Sequence, residues 1–537
     1  MALESAVDVA ITQNLERFLV VLSVSLGVVT ISQISSWFRQ IPYTLLLVIV
    51  GLGLAFVDIH LGSLSPELIL EIFLPPLLFE AAWNIRWQEL KENWIFVTFF
   101  AVFGVIISIF GVAVAVKEFT SLSLAAALLI GSSLATTDSV AVISLFREVG
   151  ASKRLKVLME GESLFNDGVA VVAFVLLTEI LVGTQELSAS NTLLRFCTFV
   201  GIGVATGCLI GFGISYLTQR VDLPLVEQSL TLVSAYGTYL ITEELGGSGV
   251  IGVAIAGLIL GNFGSRIGMS PRVRLLVTEF WEFIAFFVNS IVFLLIGDQI
   301  NFFSLSDNLI PIGITVVAVL GTRIVSIYGL GALGNLIAEN KVSLQEQTIL
   351  WWGGLRGSFS IALALSVPAI FPGRQAIIET VFGVVLFTLL IQGLTTKWLL
   401  KKLNLIDEQS ISQEYSELIA RRTALKRMLD YFVQLDLARD IEAETYQYQR
   451  MVVKEQLENL EEKIVNLKTQ YPQLRSLDLE QIQQNLLDIE ANTYAEFIRA
   501  GRLNNNLSPF VREFLAEEHL SPIEINSDLL TIKKEEL

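Results

Sequence analysis

Two aspartates inside apolar segments are the residues of this chain best placed to do chemistry. Asp138 lies in Ala-Thr-Thr-Asp-Ser-Val-Ala-Val (135–142), and Asp167 lies in Glu-Gly-Glu-Ser-Leu-Phe-Asn-Asp-Gly (160–168). A carboxylate at membrane depth costs free energy, so by default it marks an ion or proton path. We therefore predict that Asp167 forms an anionic site that holds a small cation when ionised and a proton when neutral.

The residues just before Asp167 support this prediction. With about 100° of rotation per residue, Glu162, Ser163, Asn166 and Asp167 fall on one polar face of a helix. The opposite face is apolar and can pack against neighbouring helices. We expect the polar face to border a water-filled cavity.

The elements that must position these residues are membrane spans. The 537 residues are 53% hydrophobic and 17% charged, with a mean hydropathy of +0.63, which exceeds ordinary soluble usage. Runs of about 20 mostly apolar residues predict an all-α polytopic membrane protein in contact with lipid. The thirteen predicted spans lie near 17–37, 41–57, 67–85, 94–116, 121–147, 157–182, 192–218, 226–243, 248–264, 276–299, 308–338, 348–369 and 376–400.

The charge of the loops orients these spans. Fifteen lysines and arginines lie at the ends of odd-numbered spans, against two or three after even-numbered spans. Positively charged loops stay in the cytoplasm. This bias predicts an N-terminus outside the plasma membrane and a C-terminal tail in the cytoplasm. Arg323, which lies inside the eleventh span, is left out of the count.

Several ionisable residues share one depth. Asp138 lies nine residues before the cytoplasmic end of the fifth span, and Asp167 lies ten residues into the sixth. At about 1.5 Å per residue both are roughly 14 Å deep, Arg356 is about 12 Å deep in the twelfth span, and Glu80 is about 9 Å from the inner end of the third. These groups are predicted to converge near the middle of the membrane.

Two spans carry residues that interrupt helices. In the fifth span, Gly131-Ser132-Ser133 and Thr136-Thr137-Asp138-Ser139 are small or hydrogen-bonding residues that compete with helical backbone bonding. The twelfth span has a matching stretch, Gly353-Gly354-Leu355-Arg356-Gly357-Ser358. Interrupted spans at corresponding positions of two halves indicate the binding site of a transporter. The two spans are seven apart, and an odd offset inverts topology. We expect an inverted repeat whose half-helix ends face the carboxylates.

The ion and its neighbours are assigned as follows. Ser163 and Thr137 offer hard oxygens, so the transported Na⁺ is placed against Asp167, Ser163 and Thr137. Asp138 is predicted to contribute its field or a water-mediated contact, and Glu80 is a more solvated carboxylate. No cofactor is expected.

Arg356 needs a compensating charge at mid-membrane. Glu162, on the polar face of the sixth span, is its expected partner. This pair is predicted to be structural.

These residues resemble the NhaP-type sodium/proton antiporters of the monovalent cation:proton antiporter-1 family over roughly residues 15–400. The resemblance rests on four motifs in order: Phe-Leu-Pro-Pro-Leu-Leu-Phe-Glu (73–80), Thr-Asp-Ser-Val-Ala-Val (137–142), Glu-Gly-Glu-Ser-Leu-Phe-Asn-Asp-Gly (160–168) and Gly-Gly-Leu-Arg-Gly (353–357). It implies a homodimer, each protomer having a dimerisation domain and a six-helix core that moves by alternating access. One departure is Ser139, where the family has proline.

The resemblance also implies roles for single residues. Asp167 is the carrier carboxylate, and the ion is surrounded by Ser163, Thr137, Asp138 and Glu80. Asn166 steadies the site, and asparagine at this position is the family's pattern for electroneutral exchange. Glu162 pairs with Arg356. The implied function is electroneutral antiport of Na⁺ or Li⁺ against H⁺.

The composition divides the chain into an exchanger domain, 1–402, and a tail, 403–537. The tail holds 15 basic and 25 acidic residues, a net charge of −10, which argues against nucleic-acid binding. Apolar positions at helical spacing over 413–470 predict helices, and shorter ones are predicted near 478–500 and 508–518. A regulatory or dimer-stabilising role for this cytoplasmic tail is a hypothesis.

Three alternatives to Na⁺/H⁺ antiport remain. A K⁺-preferring antiporter would use the same residues, because cavity size and oxygen ligands decide selectivity. A cation channel could use intramembrane carboxylates, but paired interrupted helices favour alternating access. An intramembrane aspartyl protease needs Tyr-Asp and Gly-x-Gly-Asp motifs, and neither surrounds Asp138 or Asp167. We therefore expect a transporter rather than an enzyme.

Overall fold

The computed structural model describes ten segments and four isolated residues of the chain. They are 19–31, 42–57, 65–138, 140, 142–143, 146, 151–183, 189–220, 223–299, 308–403, 405, 409–436, 443–470 and 493. All regular secondary structure in these segments is helical, which confirms the predicted all-α class. The chain divides between Ser410 and Ile411 into two compact units, eight residues beyond the boundary drawn from composition.

The described part of the first unit is built of helices. Up to residue 218 they are α1 Leu19–Ile31, α2 Tyr43–Phe56, α3 Leu74–Asn84, α4 Trp87–Glu92, α5 Trp94–Phe119, α6 Leu124–Ser133, α7 Lys153–Val182 and α8 Ala189–Thr218. A π-helical turn, Leu68–Phe73, leads into α3, and another, Phe99–Phe103, lies within α5.

The second half of the first unit is also helical. Its helices are α9 Pro224–Glu244, α10 Gly249–Ile259, α11 Pro271–Asp298, α12 Leu309–Ile337, α13 Leu344–Trp352, α14 Ser358–Leu365 and α15 Arg374–Lys402. π-Helical turns follow α10 at Leu260–Gly268 and occur within α12 at Val325–Leu330 and within α15 at Thr388–Gln392.

Serine side chains begin several of these helices. The Ser152 hydroxyl accepts a hydrogen bond from the Leu155 amide at the start of α7, and Ser123 does the same for Ala126 in α6. Ser343 and Glu346 form a reciprocal capping box at the start of α13. Each cap satisfies an amide that has no partner within its helix. The sequence thereby fixes where α6, α7 and α13 begin.

Helices lie at all thirteen predicted spans. Within the described residues, six helices are long and apolar enough to cross a membrane, namely α5, α7, α8, α11, α12 and α15, and α1, α2, α6 and α10 are shorter apolar helices. The membrane-protein class is thus supported, and thirteen crossings remain a prediction. The fifth and twelfth spans are interrupted: residues 134–138 after α6 and residues 353–357 between α13 and α14 are not helical.

The helices of the first unit pack as two groups. The first group contains α2, α3 and α8–α11, and the second, which we call the broken-helix group, contains α5–α7 and α12–α15. The broken-helix group corresponds to predicted spans four to six and eleven to thirteen. Helix α7 packs within this group and also contacts α3, α8 and α10. The helix that bears Asp167 therefore lies where the two groups meet.

The tail forms two long helices, α16 Gln409–Asp436 and α17 Ala443–Gln470. Tyr415 and Ile464 are buried between them, and Lys426 Nζ lies 3.2 Å from Glu461 Oε1. Apart from residue 493, the predicted shorter helices near 478–500 and 508–518 lie outside the described residues.

Candidate functional site

The two interrupted spans are joined to each other. The Asp138 amide donates a hydrogen bond to the Leu355 carbonyl at 2.8 Å, which links one non-helical segment to the other. The hydroxyls of Thr136 and Ser360 lie 2.8 Å apart and form a second link. Helix α14 packs against α6. The interrupted segments thus form one crossing, close to the middle of the broken-helix group.

Two arginine side chains donate hydrogen bonds to backbone carbonyls at the interruptions. Arg356 Nη1 donates to the carbonyls of residues 135 and 136 at 3.2 and 2.5 Å, just beyond the end of α6. Arg323 donates to the carbonyls of residues 350 and 351 at the end of α13, at 2.7 Å from Nη2 and 3.1 Å from Nε. The C-terminal end of a helix carries partial negative charge. Each broken helix therefore ends on a guanidinium group.

Asp138 lies beside helix N-termini, whereas the two arginines lie at helix C-termini. Its Oδ1 accepts a hydrogen bond from the Val140 amide at 3.0 Å, where the chain becomes helical again. Its carboxylate also lies against Gly357, which precedes α14, and a Cβ on that glycine would overlap with Oδ2. Helix N-termini carry partial positive charge. Asp138 thus places its negative charge between two such ends.

Asp167 is the carboxylate with an open position. It is only 5% exposed on α7, and its Oδ1 is buried without a hydrogen-bond partner. The side-chain charges that act on it are those of Asp138 and Arg356. Buried oxygens are usually satisfied, so one without a partner calls for an explanation. A carboxylate oxygen in this state can take up a proton or coordinate a cation.

Hydrogen bonds from Ser163 and Asn166 connect the interrupted segment of the fifth span to α7. Ser163 Oγ donates to the Thr137 carbonyl at 2.6 Å, and Asn166 Nδ2 donates to Thr137 Oγ1 at 2.7 Å. The Thr137 amide donates in return to Asn166 Oδ1 at 3.4 Å. Ser163 and Asp167 are one helical turn apart and share a face. The structure thus brings Thr137, Ser163 and Asp167, the three predicted ion ligands, to one place.

The predicted pairing of Glu162 with Arg356 is wrong. Glu162 is paired instead with Arg323 of α12, whose Nη1 and Nη2 lie 2.8 and 3.3 Å from its two carboxylate oxygens. The guanidinium group of Arg356 is directed to the carbonyls at the end of α6. All three side chains are buried. Both arginines are needed because each interrupted helix exposes its own set of carbonyls.

Arg323 is the functional residue that the sequence interpretation missed. The signal was present: Arg323 lies fifteen residues from either end of the predicted span 308–338, which is mid-membrane. A charged side chain at mid-membrane costs free energy, and this reason, which singled out Arg356, applies equally to Arg323.

Glu80 lies on α3, in the first helix group. It is half-buried, and its Oε1 accepts a hydrogen bond from Asn84 Nδ2 at 2.6 Å, one turn further along the helix. Its place beside the ion stays a prediction.

The residue after Asp167 forms a tight contact between the two helix groups. A Cβ on Gly168 would lie 2.6 Å from Ile251 Cγ1 of α10. Real Cβ atoms essentially never approach that closely, so glycine lets α7 and α10 come together here. Asp167 is therefore located at the boundary between the two helix groups.

Gly357→Ala is expected to lower the stability of the protein by about 1–3 kcal/mol. The added methyl group would overlap with the Asp138 carboxylate and separate it from α14. Gly313→Ala in α12 is the matched control, because a Cβ there meets no atom within 4 Å. Thermal unfolding in detergent would measure both variants. Equal midpoints would contradict the close packing of Asp138 against residue 357.

Comparisons with known proteins agree on one family. The family model described as "Sodium/hydrogen exchanger, transmembrane" matches residues 21–402. The Na⁺/H⁺ antiporter ApNhaP of Aphanothece halophytica is 64% identical over 519 residues, covering 96% of this chain and 100% of that protein. The low-affinity Na⁺/H⁺ antiporter NhaS1 of Synechocystis sp. is 55% identical over 519 residues, covering 96% and 98%.

A solved structure shares the fold. The sodium proton antiporter MjNhaP1 from Methanocaldococcus jannaschii, determined at pH 8, matches with a TM-score of 0.58 and 22% sequence identity. The match covers 71% of this chain and 99% of that one.

Proposed function

Because the chain belongs to the sodium/hydrogen exchanger family, as an NhaP-type member, we propose that it exchanges Na⁺ or Li⁺ for H⁺, one for one, by alternating access in the plasma membrane. The observation that carries this proposal is the buried, unpartnered Oδ1 of Asp167. Relatives named Na⁺/H⁺ antiporters support the ions proposed. The aspartate is the common binding position for both.

Competition for one carboxylate couples the two fluxes. With a proton or a monovalent cation bound, Asp167 has no net charge, and the loaded site can change its accessibility. An empty, ionised carboxylate carries a charge that the membrane interior disfavours. Unloaded transitions are therefore slow, and a proton must return for each cation that leaves. Asn166 beside it adds no second carrier charge, which is consistent with a one-for-one exchange.

The proposed cation site uses the oxygens of Asp167, Ser163 and Thr137. The Ser163 hydroxyl donates its hydrogen bond to the Thr137 carbonyl, so the lone pairs of the hydroxyl oxygen remain available to a cation. Asn166 holds the Thr137 side chain in place. Asp138 contributes its field from the helix ends, and Glu80 is proposed as an outer carboxylate of the same site.

The two helix groups suggest which parts move. The hydrogen bonds of the crossing hold the interrupted helices together, so the broken-helix group can move as one body. Its boundary with the other group contains the Gly168–Ile251 contact. We assign the first group to the fixed scaffold and, in a homodimer, to the contact with a second copy.

Exposed tryptophans support a membrane–water interface at the helix ends that loop charge assigns to the cytoplasm. Trp87, Trp94 and Trp398 are 49–61% exposed, and each lies at a helix end that loop charge assigns to the cytoplasm. Lys402 Nζ lies 4.9 Å from the ring centroid of Trp398. Tryptophan and basic residues are typical of the membrane–water interface.

Exchange by this protein is expected to be insensitive to membrane potential. Moving one net charge per cycle would add about 2.3 kcal/mol of driving force per 100 mV. Proteoliposomes with an imposed Na⁺ gradient, a pH indicator inside and a K⁺/valinomycin potential would measure this. Equal rates at 0 and about −100 mV are expected, and acceleration by potential would contradict the one-for-one stoichiometry.

The same vesicles separate the alternatives. With the potential clamped by other means, Li⁺, Na⁺ and K⁺ gradients are compared for proton movement. Proton movement driven mainly by K⁺ would replace the proposal by a K⁺-preferring antiporter. A cation current without coupled proton movement would indicate a channel.

A further inference from the structure

A small cavity lies beside the crossing, between α5, α7 and α12. Its polar lining includes the Glu162–Arg323 pair, Arg356, Ser108 and Ser326. Asn166 borders it too, so the cavity lies behind the proposed ion site. Among these residues, Ser108 has no role in the exchange site described above.

Two polar atoms in this lining have no hydrogen-bond partner. They are Arg356 Nε and Ser108 Oγ, on side chains whose residues are 2% and 7% exposed. Nε is part of a cation and can only donate, whereas a hydroxyl can donate and accept. Leaving such groups unsatisfied away from bulk water is costly. A small molecule that accepts from Nε and bonds to the hydroxyl would satisfy both.

The helix geometry leaves room for such a molecule. Gly104 of α5 lines the cavity, and a Cβ there would lie 2.7 Å from Ser326 Oγ of α12. The π-helical turns of α5 and α12 contact each other beside it. Glu162 neutralises Arg323 in this lining, and Arg356 already donates to two carbonyls, so a neutral molecule is enough to satisfy the two unpartnered atoms. A buried water needs two to four polar partners, and this cavity supplies them.

We propose that the cavity binds an ordered water that links Ser108 Oγ to Arg356 Nε, and that Ser108 is a positioning residue for the cation site. Arg356 Nη1 holds the carbonyls of residues 135 and 136, which immediately precede Thr137. The water keeps the guanidinium group oriented, and the guanidinium group keeps the Thr137 ligand in place. The proposal rests on the exchange function proposed for Asp167.

Ser108→Ala is expected to raise the apparent KM for Na⁺ about fivefold, the effect of losing one hydrogen bond, with an unchanged maximal rate. Ser108→Thr keeps the hydroxyl and should keep KM near the unsubstituted value. Gly104→Ala narrows the cavity and should raise KM as Ser108→Ala does. Thr315→Val is the control, because the Thr315 hydroxyl is buried in α12 but is satisfied by the Pro311 carbonyl.

Several results would overturn this assignment. One is an unchanged KM in both Ser108→Ala and Gly104→Ala, and another is a Ser108→Thr variant as impaired as Ser108→Ala. Slower exchange when gluconate replaces chloride would indicate an anion in place of water. Failure of the exchange function itself is distinguishable, because the unsubstituted protein would then show no Na⁺-driven proton movement in the same vesicles.

Discussion

Asp167→Asn is expected to reduce Na⁺-driven proton movement in proteoliposomes to the level of protein-free vesicles. An amide is isosteric with the carboxylate but neither binds and releases a proton nor provides a negative charge for the cation. Oδ1 has no partner in the structure, so the substitution breaks no hydrogen bond made by that atom. Removing a buried charge should leave the thermal unfolding midpoint unchanged or raise it.

Asp138→Asn is the matched variant for this experiment. An asparagine oxygen can still accept the hydrogen bond from the Val140 amide that Asp138 Oδ1 accepts now. We expect slower exchange that remains dependent on Na⁺, because Asp138 supplies field rather than the exchanged proton. Persistent exchange in a folded Asp167→Asn protein would refute the carrier assignment. If Asp138→Asn abolished exchange and Asp167→Asn retained it, Asp138 would be the carrier and Asp167 the supporting charge.

Glu162 and Arg323 are expected to show strong energetic coupling. Removing one partner leaves a buried charge without compensation, so Glu162→Met and Arg323→Leu should each destabilise the protein by about 3–5 kcal/mol. The double variant has neither charge and should regain the part of that loss that comes from an uncompensated charge, but not the hydrogen bonds of Arg323 to the carbonyls of residues 350 and 351. Thermal or denaturant unfolding of the four proteins gives the double-mutant cycle.

The control for this cycle pairs Glu162→Met with Arg356→Leu. Arg356 donates to carbonyls near the end of α6 and not to Glu162, so losing both residues should bring little recovery. A larger coupling for Glu162 with Arg356 than with Arg323 would contradict the pairing seen in the structure. Independent effects of Glu162 and Arg323 would do the same.

The sequence predicts the residues of the proposed site because a charged residue in an apolar run is visible from the sequence alone. Asp167 and Asp138 are charged groups in apolar runs, and counting along each span places them at one depth. The glycines and hydroxyls around residues 134–138 and 353–357 predicted the interruptions that the structure contains.

The same counting could not identify partners. Depth gives the height of a residue along the membrane normal, but the direction in which its side chain projects depends on how the helices pack. The sequence pairs Glu162 with Arg356 because Glu162 lies on the polar face of the sixth span, but in the structure Glu162 faces α12 and contacts Arg323. Ser108 gave no signal, because serines in membrane helices commonly bond to their own backbone.

The crossing has a thermodynamic consequence. The hydrogen bonds of Asp138 with Leu355, and of Thr137 with Ser163 and Asn166, join the proposed cation ligands into one assembly. If this assembly turns as a whole, the cation meets the same oxygens from either side of the membrane, and its intrinsic dissociation constant is equal on both. Half-saturating Na⁺ would then be the same on either side, while the Na⁺ and H⁺ gradients set the direction of net exchange, as they do for any antiporter.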